Sequence, residues 1–324
     1  MTLLLNGSPI QFFHPKRGLR QGDPISPYLF IVCMEVLSRL INRKVEEGLI
    51  KGFCLNPHTP PLHHLFFAND IFLMGKCSID EAFYFKGCLD DFCHWSDQSF
   101  NSQKSNIFFN RSANRQVAGL VTTLMGFSRI KPDSAYLGLP LFRSGKVKDF
   151  YFLVDWLDAK LAGWKAKILS KAKKLVLIKS VVSSLPTYVM QTVKISASIC
   201  SKLDARIRSF WWGYSSNSRK LLCLKAWDSI CKPKACGGLG LRKMGDFNRA
   251  LLAEWGWNLL TNATSLYLSV LRSRYIQYDR FFDILKKIGD SPFWKVIIDI
   301  RNLLVDGACY VVGDGNSIDL WKDP

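Results

Sequence analysis

Two side chains with chemical potential sit side by side in the stretch Leu62 to Gly75, LHHLFFANDIFLMG: the amide of Asn69 and the carboxylate of Asp70. A carboxylate is the hard, charged oxygen ligand that magnesium demands, whereas an amide offers an oxygen without the charge. The apolar runs Leu65–Phe67 and Ile71–Met74 are short and rich in aromatic and branched residues, as buried strands are. The spacing predicts a tight hairpin that holds out one amide and one carboxylate at its tip. Asn and Asp are also common turn residues for conformational reasons alone, so an ordinary hairpin reads the same way.

The elements around this stretch follow from pattern. Met1 to Phe13 reads as two strands joined at Asn6-Gly7, a dipeptide that accepts positive φ. Lys16 to Phe30, KRGLRQGDPISPYLF, is a basic, glycine-punctuated loop followed by Asp23-Pro24 and Ser26-Pro27, each able to cap a helix with Pro in its first turn. The helix expected over Tyr28 to Val45 places Leu29, Val32, Val36 or Leu37, and Leu40 on a face suited to pack on a sheet. In the loop before it, glycine allows close backbone approach, and Arg17, Arg20 and Gln21 offer donors for phosphate and sugar. A second helix is expected over Asp80 to Ser96, with Ala82, Phe85, Leu89 and Phe92 or Cys93 inward.

The composition limits what such elements could serve. At 324 residues and 48% hydrophobic content, with mean hydropathy +0.05, the chain can fill about two cores. Forty-four Lys and Arg against 26 Asp and Glu leave a formal charge of +18, which points to a polyanionic partner, nucleic acid first. No apolar run approaches the roughly 18 residues of a membrane span, and the opening MTLLL is too short for a signal peptide. The expectation is an intracellular protein of nucleus or cytoplasm, neither secreted nor membrane-bound. Ten irregularly spaced cysteines read as reduced, mostly buried thiols. Cys231 and Cys236, with Cys223 nearby, lack a histidine at zinc spacing and are taken as structural.

Several motifs, in order, carry a resemblance. RGLRQGDPISPYLF closely resembles the segment of reverse transcriptases, above all those of non-LTR (LINE-type) retrotransposons, that shapes the pocket for template and incoming nucleotide. The FAND hairpin is similar to the Phe/Tyr-Ala-Asp-Asp hairpin on which these enzymes carry metal-binding aspartates, with Asn69 standing for the first. Phe100 to Ser105, FNSQKS, is similar to the family's Asn-x-x-Lys-Ser segment, and Tyr136-Leu137-Gly138-Leu139-Pro140 resembles the turn that grips the primer. The matches span residues 1 to about 141. The resemblance implies a template and nucleotide pocket at Arg17, Arg20, Gln21, Gly22 and Phe67. It further implies metal binding at Asp70 with Asn69, a phosphate-proximal proton donor at Lys104, and a primer grip at Tyr136, Leu137 and Gly138. Magnesium, an RNA template and a DNA primer come with it.

Beyond Leu141 the chain turns helical and basic. From Arg143 to Lys179 ten basic residues face three acidic ones, net +7. Leu153, Leu157, Leu161, Trp164 and Ile168 would share one helical face, with Lys160, Lys167 and Lys171 as a stripe along its edge and Lys174 beyond. Lysine stems can cover apolar surface while the ammonium groups reach phosphates. This segment, FWWG at Phe210–Gly213 and KPKACGGLGLRKM at Lys232–Met244 resemble the thumb region of plant LINE-type elements. The tryptophans there are read as core. A further helical stretch is expected over Phe247 to Arg274, with Ala250, Leu251, Trp255 and Leu259 inward. A hairpin is expected around Gly313-Asp314-Gly315-Asn316.

The resulting expectation is an α+β chain: a partial reverse-transcriptase palm of antiparallel strands with covering helices over 1–141, and a basic, mainly α-helical thumb over 142–274. Residues 275–324 would form a helical and hairpin tail leading toward a zinc-binding or RNase H region. Residues 1–22 contain no Asp or Glu, so the aspartate that the family supplies from an upstream strand has no counterpart there, nor do the fingers. With Asn69 in the hairpin, the chain is expected to be catalytically inactive. The alternative is a non-catalytic nucleic-acid-binding protein that uses the basic thumb.

Overall fold

The computed structural model describes residues 4–9, 11–12, 22–55, 57, 59–131, 134–136, 139–141, 147–162, 169–213, 223–261, 263–276 and 281–309. The chain divides into two compact units between Ser134 and Ala135. Among the described residues the strands pair only two by two.

The first unit opens with β1 (Leu4–Leu5) and β2 (Ser8–Pro9), antiparallel, turning through Asn6 at φ +51° and Gly7 at φ +82° as the dipeptide predicts. Helix α1 (Ser26–Glu46) starts from Ile25 without a side-chain cap. Asp23 Oδ1 accepts from the N–H of Ile25, and Ser26 lies inside the helix, so the expected Asp and Ser caps give way to a turn that Asp23 closes.

The buried face of α1 follows expectation at Leu37 and Leu40 and differs from it elsewhere. Met34, Leu37 and Ile41 are buried with Phe30, Cys33 and Leu40 beside them, whereas Leu29, Val32 and Val36 face solvent. The reason is that α1 is apolar nearly all round at its start, so hydrophobic spacing fits two faces and only the partner elements choose. Helix α2 (Ile79–Ser96) behaves as predicted, burying Ala82, Phe85, Leu89 and Phe92, and Cys88 as well. Between α1 and α2 lie β3 (His64–Phe67) and β4 (Asp70–Leu73), whose Phe66, Ile71 and Leu73 join the same core. The unit closes with β5 (Asn106–Ile107), α3 (Arg115–Met125) and β6 (Ser128–Arg129), in which β5 and β6 run parallel.

The second unit begins with the antiparallel pair β7 (Ala135–Tyr136) and β8 (Leu139–Pro140), and the remaining elements among its described residues are helical. Its helices are α4 (Tyr151–Leu161), α5 (Lys171–Leu177), α6 (Thr187–Met190), α7 (Ala197–Trp212), α8 (Trp227–Cys231), α9 (Met244–Leu260), α10 (Leu266–Tyr275) and α11 (Pro292–Gly307). A π-helical turn, Ile178–Val182, prolongs α5. Serines set the starts of α5, α7, α10 and α11: Ser170, Ser196, Ser265 and Ser291 each accept a backbone N–H three residues on, which stabilises each helix by about 1 kcal/mol.

Two corrections concern helix extent. The helix expected to run through Ile168 ends at Leu161, and Lys171 begins α5, so Lys160 and Lys171 do not share a helix. Helical spacing counted on from Leu161 does not register the separate start at Lys171, which Ser170 caps; Trp164, Lys167 and Ile168 lie outside the described residues. The stretch expected over Phe247 to Arg274 is likewise two helices, α9 and α10, and the inward positions of α9 are Asn248, Leu252, Gly256 and Leu259, with Ala250 exposed.

Helix α9 contributes to two cores. Met244 packs with Ile199, Leu203, Ile207, Phe210 and Trp211, while Leu259 packs with Leu268, Phe281, Trp294 and Ile297. The division expected after residue 274 falls inside this second cluster. Asn248, 2% exposed, staples the loop after α6. Its Nδ2 donates to the carbonyls of Met190 (2.7 Å) and Val193 (2.9 Å), and its Oδ1 accepts from Ile195 N–H (2.8 Å). At Gly256 an added Cβ would stand 2.5 Å from Leu304 Cδ1, so a larger residue there would displace the Leu304 side chain between α9 and α11. At the other end Arg272 donates to the carbonyls of Asn258, Leu259 and Ala263, closing off the carboxyl end of α9 where a cation is favoured.

Candidate functional site

The β3–β4 hairpin is built as the sequence reads. His64 pairs with Leu73, Leu65 with Phe72, Phe66 with Ile71 and Phe67 with Asp70, and Ala68-Asn69 form the turn. Alternation sends Phe66, Ile71 and Leu73 toward the core and leaves Leu65, Phe67 and Asp70 on the outer face. Phe67, 60% exposed, therefore stands opposite Asp70 at the last rung, with Asn69 exposed beside them. The turn places Ala68 at φ +48°, a left-handed conformation that costs a residue with a Cβ about 1 kcal/mol.

Side-chain and backbone hydrogen bonds fix the hairpin. His64 Nε2 lies 2.9 Å from Ser38 Oγ of α1, and His63 Nδ1 lies 2.7 Å from His64 Nδ1. Burial, with the neighbouring His63 adding to it, pushes His64 down to about 4, so its ring is neutral at physiological pH. The Glu81 carboxylate, 4% exposed, accepts from Lys76 N–H (2.8 Å) just after β4 and from Lys51 N–H (3.1 Å) after α1. Phe53 and Leu62 exchange backbone hydrogen bonds that tie the loop after α1 to the approach into β3. The motif reading missed Glu81 and His64 as positioning residues, although Ser78-x-x-Glu81 before an apolar run is a legible capping pattern.

The other expected site residues belong to other elements. Gly22 adopts φ +86°, open only to glycine at ordinary cost; Arg17, Arg20 and Gln21 lie outside the described residues. Lys104 is exposed on a turn organised by Asn101, whose Oδ1 accepts from the N–H groups of Gln103 and Lys104. Tyr136 pairs with Leu139 in the second unit, while Leu137 and Gly138, like Lys167 and the tail around Gly313, lie outside the described residues.

The lysines of the second unit have different fates. Lys160 on α4 is exposed. Lys171 donates to the Trp211 carbonyl at 2.6 Å and sits over the rings of Trp211 (4.9 Å) and Trp212 (4.8 Å), closing the carboxyl end of α7. Lys174 is 8% exposed with its ammonium 5.3 Å from the Phe210 ring. Burial holds Lys174 below its ordinary range, and the charge of Lys171 adds to this. The expected core role holds for Trp211, with Trp212 half-buried against the same cluster; Phe210 is buried there too, and the three rings engage two of the lysines read as phosphate ligands.

The hairpin end offers one full negative charge, from Asp70, and one neutral oxygen donor, from Asn69. No group of three His, Cys, Asp or Glu side chains placed to hold a metal ion occurs among the described residues. This donor set does not fit a two-ion centre, which needs converging carboxylates. All ten cysteines are free thiols, and burial raises Cys88, Cys93, Cys200 and Cys231. No helix among the described residues is long and apolar enough to cross a membrane.

Comparison with known proteins matches residues 2–141 to the model of reverse transcriptase (RNA-dependent DNA polymerase) domains. A protein of Arabidopsis thaliana named for ribonuclease H is 35% identical over 191 residues, covering 57% of this chain and 30% of that protein. Two uncharacterized mitochondrial proteins of the same plant also match. One is 36% identical over 141 residues (43% of this chain, 91% of that protein). The other is 49% identical over 70 residues (22% of this chain, 57% of that protein). The chain thus spans less than a third of the ribonuclease H-named relative and nearly all of the first mitochondrial one.

Proposed function

The chain belongs to the reverse transcriptase (RNA-dependent DNA polymerase) family, and we propose that it is a palm and thumb portion of a plant LINE-type element's enzyme that does not itself catalyse nucleotide addition. One observation carries this reading: the exposed hairpin end bears Asn69 where the resembling enzymes bear a metal-binding aspartate. Polymerisation needs two divalent ions held by carboxylates about 3.5 to 4 Å apart. An amide keeps the shape and one oxygen but loses the charge on which magnesium binding depends.

In this reading residues 1–141 are palm, 142–274 thumb and 275–324 a tail leading toward a zinc-binding or RNase H region. Arg17, Arg20, Gln21, Gly22 and Phe67 line the place of template and nucleotide, Lys104 neighbours the nucleotide phosphates, and Tyr136, Leu137 and Gly138 hold the primer strand. Magnesium is the family's ion and is not bound productively. RNA template and DNA primer are the partners. The test is magnesium-dependent extension of a DNA primer on an RNA template by the 324-residue chain. No extension is expected, and template-directed extension overturns the reading.

A second reading, favoured by the formal charge of +18, is a nucleic-acid-binding protein without chemistry. Lys160 and the basic segments around it would supply phosphate contacts. Salt-dependent binding of an RNA–DNA duplex without extension supports it, and absence of binding at low salt rejects it.

A further inference from the structure

An arginine-lined cavity lies at one end of the β5–α3–β6 unit. The strands are parallel, Asn106 beside Ser128 and Ile107 beside Arg129, and α3 connects them. In a parallel strand–helix–strand arrangement the space beyond the carboxyl ends of the strands is where ligands lodge, because the chain diverges there into loops. The segment leaving β5 carries Phe109, Asn110 and Arg111, α3 begins at Arg115, and β6 ends at Arg129. These residues and Ala118 line a cavity of about 350 Å³ that opens to solvent.

Three exposed arginines and no acidic residue line this space. Of the other described arginines, Arg39, Arg43 and Arg206 pair with Glu35, Glu47 and Asp158, while Arg272 and Arg301 donate to backbone carbonyls. Among the described residues none of Arg111, Arg115 and Arg129 has an acidic partner. The Arg129 guanidinium lies over the Phe109 ring, 5.5 Å from its centre, which holds the charge against the cavity wall. The start of α3 is not the source of attraction. Asn114 Oδ1 already accepts from the N–H groups of Gln116 and Val117, so binding would fall to the side chains.

We propose that this cavity is a phosphate-binding site. Arginine forks match phosphate oxygens bidentately, and three of them around one small cavity suit two adjacent phosphate groups, of a nucleic-acid strand or of a free polyphosphate such as a nucleotide's. The proposal is independent of Asn69 and of polymerase chemistry.

The experiment uses the full chain with two probes, inorganic pyrophosphate followed by calorimetry and a labelled 12-nucleotide RNA followed by anisotropy across a salt series. Both are run on the parent, on Arg111→Gln/Arg129→Gln, on Arg111→Lys/Arg129→Lys and on the control Arg39→Gln. The glutamine pair is expected to weaken at least one probe tenfold or more while the control does not. Loss confined to RNA, with its log–log salt slope reduced by about 1.4 for two lost single-strand contacts, identifies strand phosphates; loss of pyrophosphate binding identifies a free polyphosphate. The lysine pair keeps charge without the fork and should retain part of the affinity; it also stands in should the glutamine pair fail to fold, a threefold loss then being expected. Equal binding of both probes by parent and arginine variants overturns the proposal and leaves the family reading intact. Binding of pyrophosphate without any binding of RNA supports the cavity and counts against the nucleic-acid reading alone.

Discussion

His64 Nε2 stands 2.9 Å from Ser38 Oγ, joining the first residue of β3 to the middle of α1. The sign of its pH dependence follows from burial. The unfolded histidine binds a proton near 6.5, and the folded one only near 4. Between those values the unfolded state holds the extra proton, so stability falls as pH drops from about 6.5 toward about 4 and levels off below. Replacing His64→Gln should flatten that part of the profile. Thermal melts between pH 7 and 4 on parent and variant check it, and parallel profiles would refute it.

The Asn248 staple predicts a large effect from a small change. Asn248→Ala leaves two carbonyls and one N–H in the interior without their partner, and a loss of about 3 kcal/mol is expected, each orphaned group costing on the order of 1 kcal/mol or more. Asn248→Asp should be no better, because a carboxylate cannot donate to the Met190 and Val193 carbonyls. Urea denaturation of the three proteins measures both. A loss under 1 kcal/mol in the alanine variant would mean that the loop re-forms its bonds elsewhere.

At the hairpin, Asn69→Asp places a second carboxylate beside Asp70 and should strengthen local divalent-ion binding. Synthesis should not appear, since groups that act as a unit do not contribute singly. Manganese-induced broadening of signals near residues 67–72 reads the first effect, and primer extension reads the second. Extension by the single variant would mean that the remaining ligands are already in place.

The lysines should separate into two classes. Lys160→Gln should lower the log–log salt slope of duplex binding by about 0.9 with little change in melting temperature. Lys171→Gln should instead cost about 1 kcal/mol of stability, because it removes the cation over Trp211 and Trp212 and the bond to the Trp211 carbonyl. The same salt dependence for both variants, with unchanged melts, would return Lys171 to the binding surface.

What the sequence makes legible is local. The Asn6-Gly7 turn, the FAND hairpin and the inward face of α2 each follow from spacing or backbone preference within a dozen residues. The inward face of α1 does not, because Leu29, Val32 and Val36 are as apolar as Met34, Leu37 and Ile41 and only tertiary partners distinguish them. Two-residue strands such as β5 and β6 leave no period to detect, and the cavity beside them is invisible until Arg111, Arg115 and Arg129 come together from separate elements. The surroundings of Lys171 and Lys174 are illegible for the same reason: the tryptophan pair that engages Lys171 lies about 40 positions away along the chain.

Because α9 carries one core on its first turns and another on its last, the second unit has no internal seam. A shortened chain that stops at Leu260 would strip the partners from Leu259 and bare the face of Gly256 that meets Leu304, while Met244 and Asn248 stayed packed. Such a product would keep its first cluster and present the bare end of the rod to any protease or apolar surface nearby. Length tolerance in this unit is therefore stepwise: α10 and α11 are retained together or lost together.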